Sequence, residues 1–393
     1  MELSGLIDHL TRNAPGFAAR LERAGIQPGS IRSLEDLNAL PVMRKDDLVE
    51  FQAKDPPFGG FLACQPGELK RIFQSPGPIY DPESRLADYW RWAFALRASG
   101  FGPGDVVINT FGYHLTPAGA MFEEGLWAAG CAVIPGGVGN QEQQVRAMHA
   151  LGVNGYTGLP SYLKALLDKA EELNLPLHMQ KAFVTAEPLP PSLRAYINER
   201  GVTVRQGYGT AECGNLGFEC EQEDGWHIPE DALVQVCDLT SGQPLPPGES
   251  GEIVATLFTP DYALVRFGTG DLSSLNLDPC PCGRESPRLM GWQGRAGDAV
   301  KVRGMFLHPR QLSQLMVRFP EVRRWQAVVT RQEHKDYLAL RVVPAHGVET
   351  AGLEERLAQT ARETIKFHPS VEVVTEEGIP PGAAPILDQR VWD

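Results

Sequence analysis

Between residues 105 and 206 short aliphatic runs alternate with segments of helical spacing, and this alternation restricts the fold more than any other feature. The runs are DVVINTF (105–111), CAVIP (131–135), AFVTAEP (182–188) and GVTVRQ (201–206). The stretches at about 117–129, 141–150 and 161–172 carry apolar residues three and four apart. Strand, helix and strand at this spacing make parallel βαβ units, whose sheet is covered on both faces. The spacing therefore predicts an α/β fold, in which ligands sit beyond the carboxyl ends of the strands. Tyr208-Gly209-Thr210-Ala211-Glu212 follows GVTVRQ and reads as a glycine-permitted turn at such a strand end. It is the first place to expect a site.

The flanks read differently. Residues 1–36 suggest a helix, a break at GIQPGS and a second short segment. LPVMRKDDL (40–48) and PFGG (57–60) form a lead-in punctuated by proline and glycine. KRIFQSPGPIYDP (70–82) reads as a strand entering a tight loop, and residues 83–100 as a helix ending at Gly100. From about 227 to 275 the runs ALVQVCD, GEIVATL and LVRFGTGD predict a β-rich subdomain. Past GRAGDAVKVRG (294–304), a helix (308–318), the strands WQAVVT and YLALRVVP and a helix (351–366) predict a compact α+β unit. The boundary is placed at Asp298, giving domains 1–298 and 299–393.

Composition excludes several classes. A chain of 393 residues is too long for one ordinary core and suits a large domain with a smaller one. A net charge of −13 argues against a nucleic-acid backbone as partner. No apolar run reaches membrane-spanning length, so no membrane partner is expected. Seven cysteines and an N-terminus without the apolar centre of a signal peptide point to a reducing cytoplasm.

The ordered set TAEP (185–188), YGTAE (208–212), RFGTGD (266–271) and GRAGDAVKVRG resembles the adenylate-forming superfamily. LPVMRKDDL, GLPSYL (158–163), WHIPED (226–231) and PCPCGR (279–284) are similar to its phenylacetate–CoA ligase branch. Each motif alone is weak; order and spacing, from about residue 36 to 390, make the set specific. The resemblance implies a large N-terminal α/β domain with a β-rich subdomain and a small mobile C-terminal α+β domain. It implies an enzyme that activates a carboxylic acid with ATP as its adenylate and passes the acyl group to CoA. Related ligases are often dimers, which makes a homodimer an expectation.

The same resemblance implies a role for each motif residue. Tyr208 stacks on adenine, with the backbone of Ala186, Glu187 and Gly209 beside it. Thr210 hydrogen-bonds phosphate, and Glu212 holds magnesium, a hard cation that favours oxygen. Asp271 accepts both ribose hydroxyls, Arg295 reaches ribose or the α-phosphate, and Asp298 is the hinge of the small domain. Taken singly, Tyr208, Glu212 and Asp271 are also what ordinary turns and caps contain. Tyr113 and His114, in FGYHLTPAG, would line the acyl and CoA pocket, although a histidine there is equally a structural residue. Cys220, His227, Cys280 and Cys282 match the branch's structural zinc site, three thiolates and an imidazole with no open position. The alternative is a set of buried free thiols.

Two stretches depart from the family, and both concern ATP. The family's phosphate loop is rich in serine, threonine and glycine and carries a lysine. Here FQSPGPIYDP keeps only Ser75 and Gly77, flanks that glycine with two prolines, Pro76 and Pro78, that lack an N–H, and adds Asp81. The family's C-terminal lysine falls at Ala383 in GIPPGAAPILDQR, and no lysine follows Lys366. Lys301 and Arg303 are the cations available to substitute. Two other readings therefore stand beside the ligase. One is a non-catalytic protein that binds an adenylate or CoA ester; the other is an enzyme that runs only the thioester half.

Overall fold

The computed structural model describes residues 2–27, 29–75, 79–298, 300–302, 305–307, 309–332, 335–345, 347, 351–365 and 367–390. Gly77, Arg303 and Lys366 lie outside the described residues. The chain divides into two compact units, Met1–Gly291 and Trp292–Asp393.

In the first unit, five strands lie in the order Thr203–Thr210, Lys181–Val184, Gly155–Gly158, Val106–Asn109, Ala132–Pro135, and all are parallel. Successive residues of one strand point to opposite faces, and here the two faces feed two cores. Val107 and Phe183 enter the core beneath the helices Trp92–Ala98 and Ala118–Ala129, with Trp92, Phe122 and Leu126. Ile108 and Val184 enter the opposite core with Val145, Leu163, Leu166 and Ile197, under the helices Gln141–Ala150, Pro160–Glu172 and Pro191–Asn198. This is the doubly covered parallel sheet that the alternation predicts.

Past Thr210 the sheet turns antiparallel, through Gly214–Phe218, Trp226–His227, Arg288–Leu289 and Leu275–Asn276. Ala232–Cys237, Gly251–Leu257 and Phe267–Ser273 pair antiparallel as the β-rich part. Arg71–Ser75 and Ile79–Glu83 pair antiparallel in a separate two-stranded sheet. Its root is held by charge: Arg71 lies 2.9 Å from Glu83 and 3.1 Å from Glu124, and Lys70 lies 2.5 Å from Glu124.

Three expectations need correction. YGT is strand rather than turn, because Tyr208 and Thr210 pair with Gly217 and Gly214; the turn comes at 211–213. AFVTAEP leaves the sheet at Val184, and Ala186 takes a positive φ of 68°. The helix read over 83–100 is only Trp92–Ala98. Asp88 and Arg91 sit at φ 48° and 61°, which helical backbone forbids, and the Asp88 carboxylate instead accepts the Ala93 N–H at 3.0 Å.

In the second unit the strands run in the order Ser370–Val373, Lys335–Pro344, Val322–Gln332, Ile386–Asp388. The helices Pro309–Met316 and Leu353–Thr364 supply Leu312, Leu315, Leu353 and Leu357 to a core shared with Val329, Leu340 and Val342. Among the described residues, no helix is long and apolar enough to cross a membrane.

Candidate active site and a cysteine–histidine cluster

The carboxyl end of the strand Thr203–Thr210 brings several expected residues together. Tyr208 is buried, and its hydroxyl donates to the Asp271 carboxylate at 2.9 Å and lies 3.1 Å from Thr269 Oγ1. Burial first, then the charge of Asp271, pushes the Tyr208 phenol well above its ordinary range, so the hydroxyl stays a donor. The TAEP loop is tied alongside: Thr185 Oγ1 donates to the Gly207 carbonyl at 2.7 Å, and Ser161 donates to Glu187 at 2.5 Å. The turn after the strand is fixed from three sides. Cys213 N–H donates to Thr210 Oγ1 at 3.1 Å, the Arg91 guanidinium donates to the Cys213 carbonyl, and Asn215 donates to the Arg91 carbonyl at 3.0 Å. Gly214 closes it at φ 69°, where an added Cβ would meet the Trp90 carbonyl oxygen at 2.6 Å.

Glu212, 3% exposed, faces a cation that sequence reasoning did not assign: Lys45 Nζ lies 2.5 Å from its carboxylate. Lys45 opens the helix Lys45–Lys54 of the lead-in motif, and only its place in LPVMRKDDL could have marked it. Asp81, from the hairpin, is 1% exposed, and both its oxygens are buried without a hydrogen-bond partner. Burial, and then the charge of Glu212, push its carboxyl up to about 8, against weaker opposing pulls from the nearby Ser75 hydroxyl and then from Lys45. Ser75, also buried, spends its hydroxyl on the Ile79 carbonyl at 3.4 Å.

Asp81 makes stability pH-dependent. Its folded pKa lies above the unfolded one, so its contribution is intact below about 4 and is lost as pH rises through about 8. At pH 7 the loss is on the order of 4 kcal/mol. Asp81→Asn removes the charge and keeps the shape. Urea unfolding should give the variant an advantage over the parent that grows from pH 5 to pH 8. An advantage of the same size at both pH values would contradict this.

Cys220, His227, Cys280 and Cys282 converge although 60 residues separate Cys220 from Cys280, and their ligand atoms all lie within 4.8 Å of one another. The Cys220 and Cys280 sulfurs are 3.7 Å apart. A tetrahedral ion with thiolates at about 2.3 Å sets its sulfurs about 3.8 Å apart, so the spacing fits such an ion. His227 Nε2 is 3.4 Å from Cys282 Sγ, and its Nδ1 is 3.1 Å from Ser286 Oγ. That outer partner leaves Nε2 for the cluster, the usual arrangement of a ligating imidazole. Burial lowers the His227 pKa, which favours the neutral ring. The antiparallel pairing Phe218–His227–Arg288 brings the two cysteine segments together.

Tyr113 is half-buried, and its hydroxyl accepts from Asn109 Nδ2 at 2.8 Å; His114 is exposed. Cys213 and Cys237 are fully buried and Cys131 is buried, while Cys64 is only partly so. Arg295, Asp298 and Lys301 belong to the second unit. There Arg295 ends the strand Gly294–Arg295, Asp298 closes a 3₁₀ turn, and Lys301 pairs with Phe306 in a hairpin.

The family model for AMP-binding enzymes matches residues 86–256, which span the strand end and the Glu212 turn. A phenylacetate–coenzyme A ligase of Thermus thermophilus is 32% identical over 359 residues, covering 86% of this chain and 79% of that one. The chain belongs to the phenylacetate–coenzyme A ligase family of AMP-binding enzymes. Its Escherichia coli relative of the same name is 29% identical over 361 residues, covering 86% of this chain and 80% of that enzyme. Among solved structures, an open conformation of 2-hydroxyisobutyryl-CoA ligase in complex with 2-HIB-AMP and CoA matches with a TM-score of 0.88 at 26% identity. That match covers 98% of this chain and 90% of the other. The family's fold, with its mixed sheet and antiparallel extension, is the one described above.

Proposed function

We propose that this chain is an acid–CoA ligase: a carboxylic acid attacks the α-phosphate of ATP, releasing pyrophosphate, and the CoA thiol then attacks the acyl-adenylate carbonyl, releasing AMP. The observation that carries the reading is the placement of Tyr208, bonded to Asp271, one turn from Glu212 and its Lys45 partner. In this reading Tyr208 is the adenine platform, the Asp271 carboxylate accepts the ribose hydroxyls, and Thr210 meets phosphate. Glu212 would hold magnesium, which supplies charge neutralisation when bound. Lys45, already 2.5 Å from Glu212, is the first-unit cation best placed to meet phosphate charge in the absence of a loop lysine. Tyr113 and His114 would border the acyl and CoA pocket. For Arg295, Asp298 and Lys301 the proposal carries over the roles that the family likeness implies. Zinc, closed off by three thiolates and His227, would be structural. A reducing cytoplasm suits free thiols, and a homodimer completes the reading. Phenylacetic and 2-hydroxyisobutyric acids, after the relatives' names, are the first acids to try.

A second reading, an enzyme of the thioester half alone, is favoured by Asp81, a buried carboxyl where the family places a lysine-bearing loop. The two separate by assaying adenylation and thioester formation apart. Ala383→Lys restores the family's C-terminal cation at the turn ahead of the strand Ile386–Asp388. A charge aimed at the developing phosphate charge is a large catalytic effect, so pyrophosphate release should rise by about tenfold or more. The CoA-dependent step should change little. An unchanged adenylation rate would show that position 383 is not the family's lysine position.

A further inference from the structure

Trp226 is absorbed neither by the cysteine–histidine cluster nor by the nucleotide site, yet it touches the platform of one and precedes a ligand of the other. Its indole lies parallel to the Tyr208 ring, with centroids 5.6 Å apart and planes 5° from parallel, an offset stack. The next residue is His227, whose Nε2 faces Cys282. Neighbouring residues of a strand point to opposite faces, and the sheet sorts them accordingly. Tyr208 pairs with Gly217, and Phe218 pairs with His227. Tyr208, Gly217 and Trp226 therefore share one face, while Phe218 and His227 share the other, their rings 6.0 Å apart.

Gly217 is what makes the stack fit. A Cβ there would lie 2.9 Å from the Trp226 Cβ, so any side chain would displace the indole from Tyr208. Both rings are buried, Tyr208 at 7% and Trp226 at 8% exposure, and Arg288–Leu289 pairs with the same two-residue strand from its other edge. The strand Trp226–His227 is only two residues long, so the cluster's hold on His227 bears directly on the neighbouring indole.

We infer that Trp226 is a positioning residue for the nucleotide, fixing the Tyr208 ring from behind, and that the metal-holding cluster sets nucleotide affinity through it. This rests on the reading of Tyr208 as the adenine platform. Loss of the cluster's ion frees His227, the two-residue strand loses its anchor, and the indole no longer holds the ring in register with Asp271. No bond to substrate is made by Trp226 itself.

The test is calorimetric binding of AMP to the full chain, as purified and after metal removal by a chelator, for the parent, Trp226→Phe and Trp226→Leu. Metal content and melting temperature are measured on each sample. The aromatic stack is worth enough that Trp226→Leu should weaken AMP by about fivefold, with metal content unchanged, while Trp226→Phe stays within about twofold of the parent. The KM for ATP should rise in Trp226→Leu with kcat nearly constant, which a general loss of folding would not give. Metal removal should weaken AMP in the parent and add little in Trp226→Leu. Equal AMP affinity in parent and Trp226→Leu overturns the inference, and so does an equal loss on metal removal in both. A parent that binds no AMP overturns the platform reading together with it, which distinguishes that failure from the others.

Discussion

Glu212→Gln is expected to lower adenylate formation by about 10²- to 10³-fold while AMP affinity changes by less than about threefold. Glutamine preserves the shape and the packing of a side chain that is 3% exposed, so the fold is not the target. What disappears is the negative charge that faces Lys45 at 2.5 Å. In the proposed site that charge fixes the cation neutralising the triphosphate, whereas AMP relies on Tyr208 and Asp271. The expected split therefore follows from which groups meet which part of the nucleotide. Pyrophosphate release across a magnesium titration, beside AMP calorimetry, reads both numbers. Lys45→Gln serves as comparison: if Glu212 acted only by orienting Lys45, the two variants would lose the same activity with the same magnesium dependence. Adenylation by Glu212→Gln within about threefold of the parent would remove Glu212 from the chemistry.

Cys280→Ser is expected to destabilise the first unit by about 3 kcal/mol or more and to lower bound zinc from about one ion per chain to near zero. The cluster joins segments 60 residues apart, and a metal that binds only the folded arrangement stabilises it by an amount that grows with the ratio of free metal to its dissociation constant. For a unit of this size, Met1–Gly291, the shift in melting temperature is roughly 5 °C or more. Serine is nearly isosteric, so lost packing contributes little. Thermal unfolding and metal analysis on the same preparation check it. Purified parent without metal, melting where Cys280→Ser melts, would leave three buried side chains and the partly buried Cys282 with no common ion.

The fold was legible wherever periodicity alone decides it. The parallel strands and the helices at 118–129, 141–150 and 160–172 follow from alternation of aliphatic runs with helical spacing. Positions 84–91 misread as helix because their apolar spacing is helical, while the positive φ of Asp88 and Arg91 is set by tertiary contacts such as the Asp88 bond to Ala93. YGT misread as turn because its glycine allows one; pairing with Gly214–Phe218, a partner sequence spacing does not announce, makes it strand. The site divides the same way. Tyr208, Asp271 and the four cluster residues carry motif identity, and the fold brings them within bonding distance. Lys45 and Trp226 stand in motifs as well, but their roles depend on a cross-chain ion pair and a ring stack that only three dimensions create. Asp81 read as one more charge in a departed loop; that it is 1% exposed and close to Glu212 is a property of the hairpin's packing.

In the proposed function the chain carries a carboxylic acid through its adenylate to the CoA thioester. The most direct measurement incubates the purified protein with ATP, magnesium, CoA and a panel of carboxylic acids, and quantifies AMP, acyl-adenylate and acyl-CoA by chromatography with mass detection. The expected result is acid-dependent AMP formation matched mole for mole by acyl-CoA, with acyl-adenylate accumulating when CoA is left out. Acyl-CoA formed only from supplied acyl-adenylate, with ATP untouched across the panel, would contradict the full ligase and leave the thioester half.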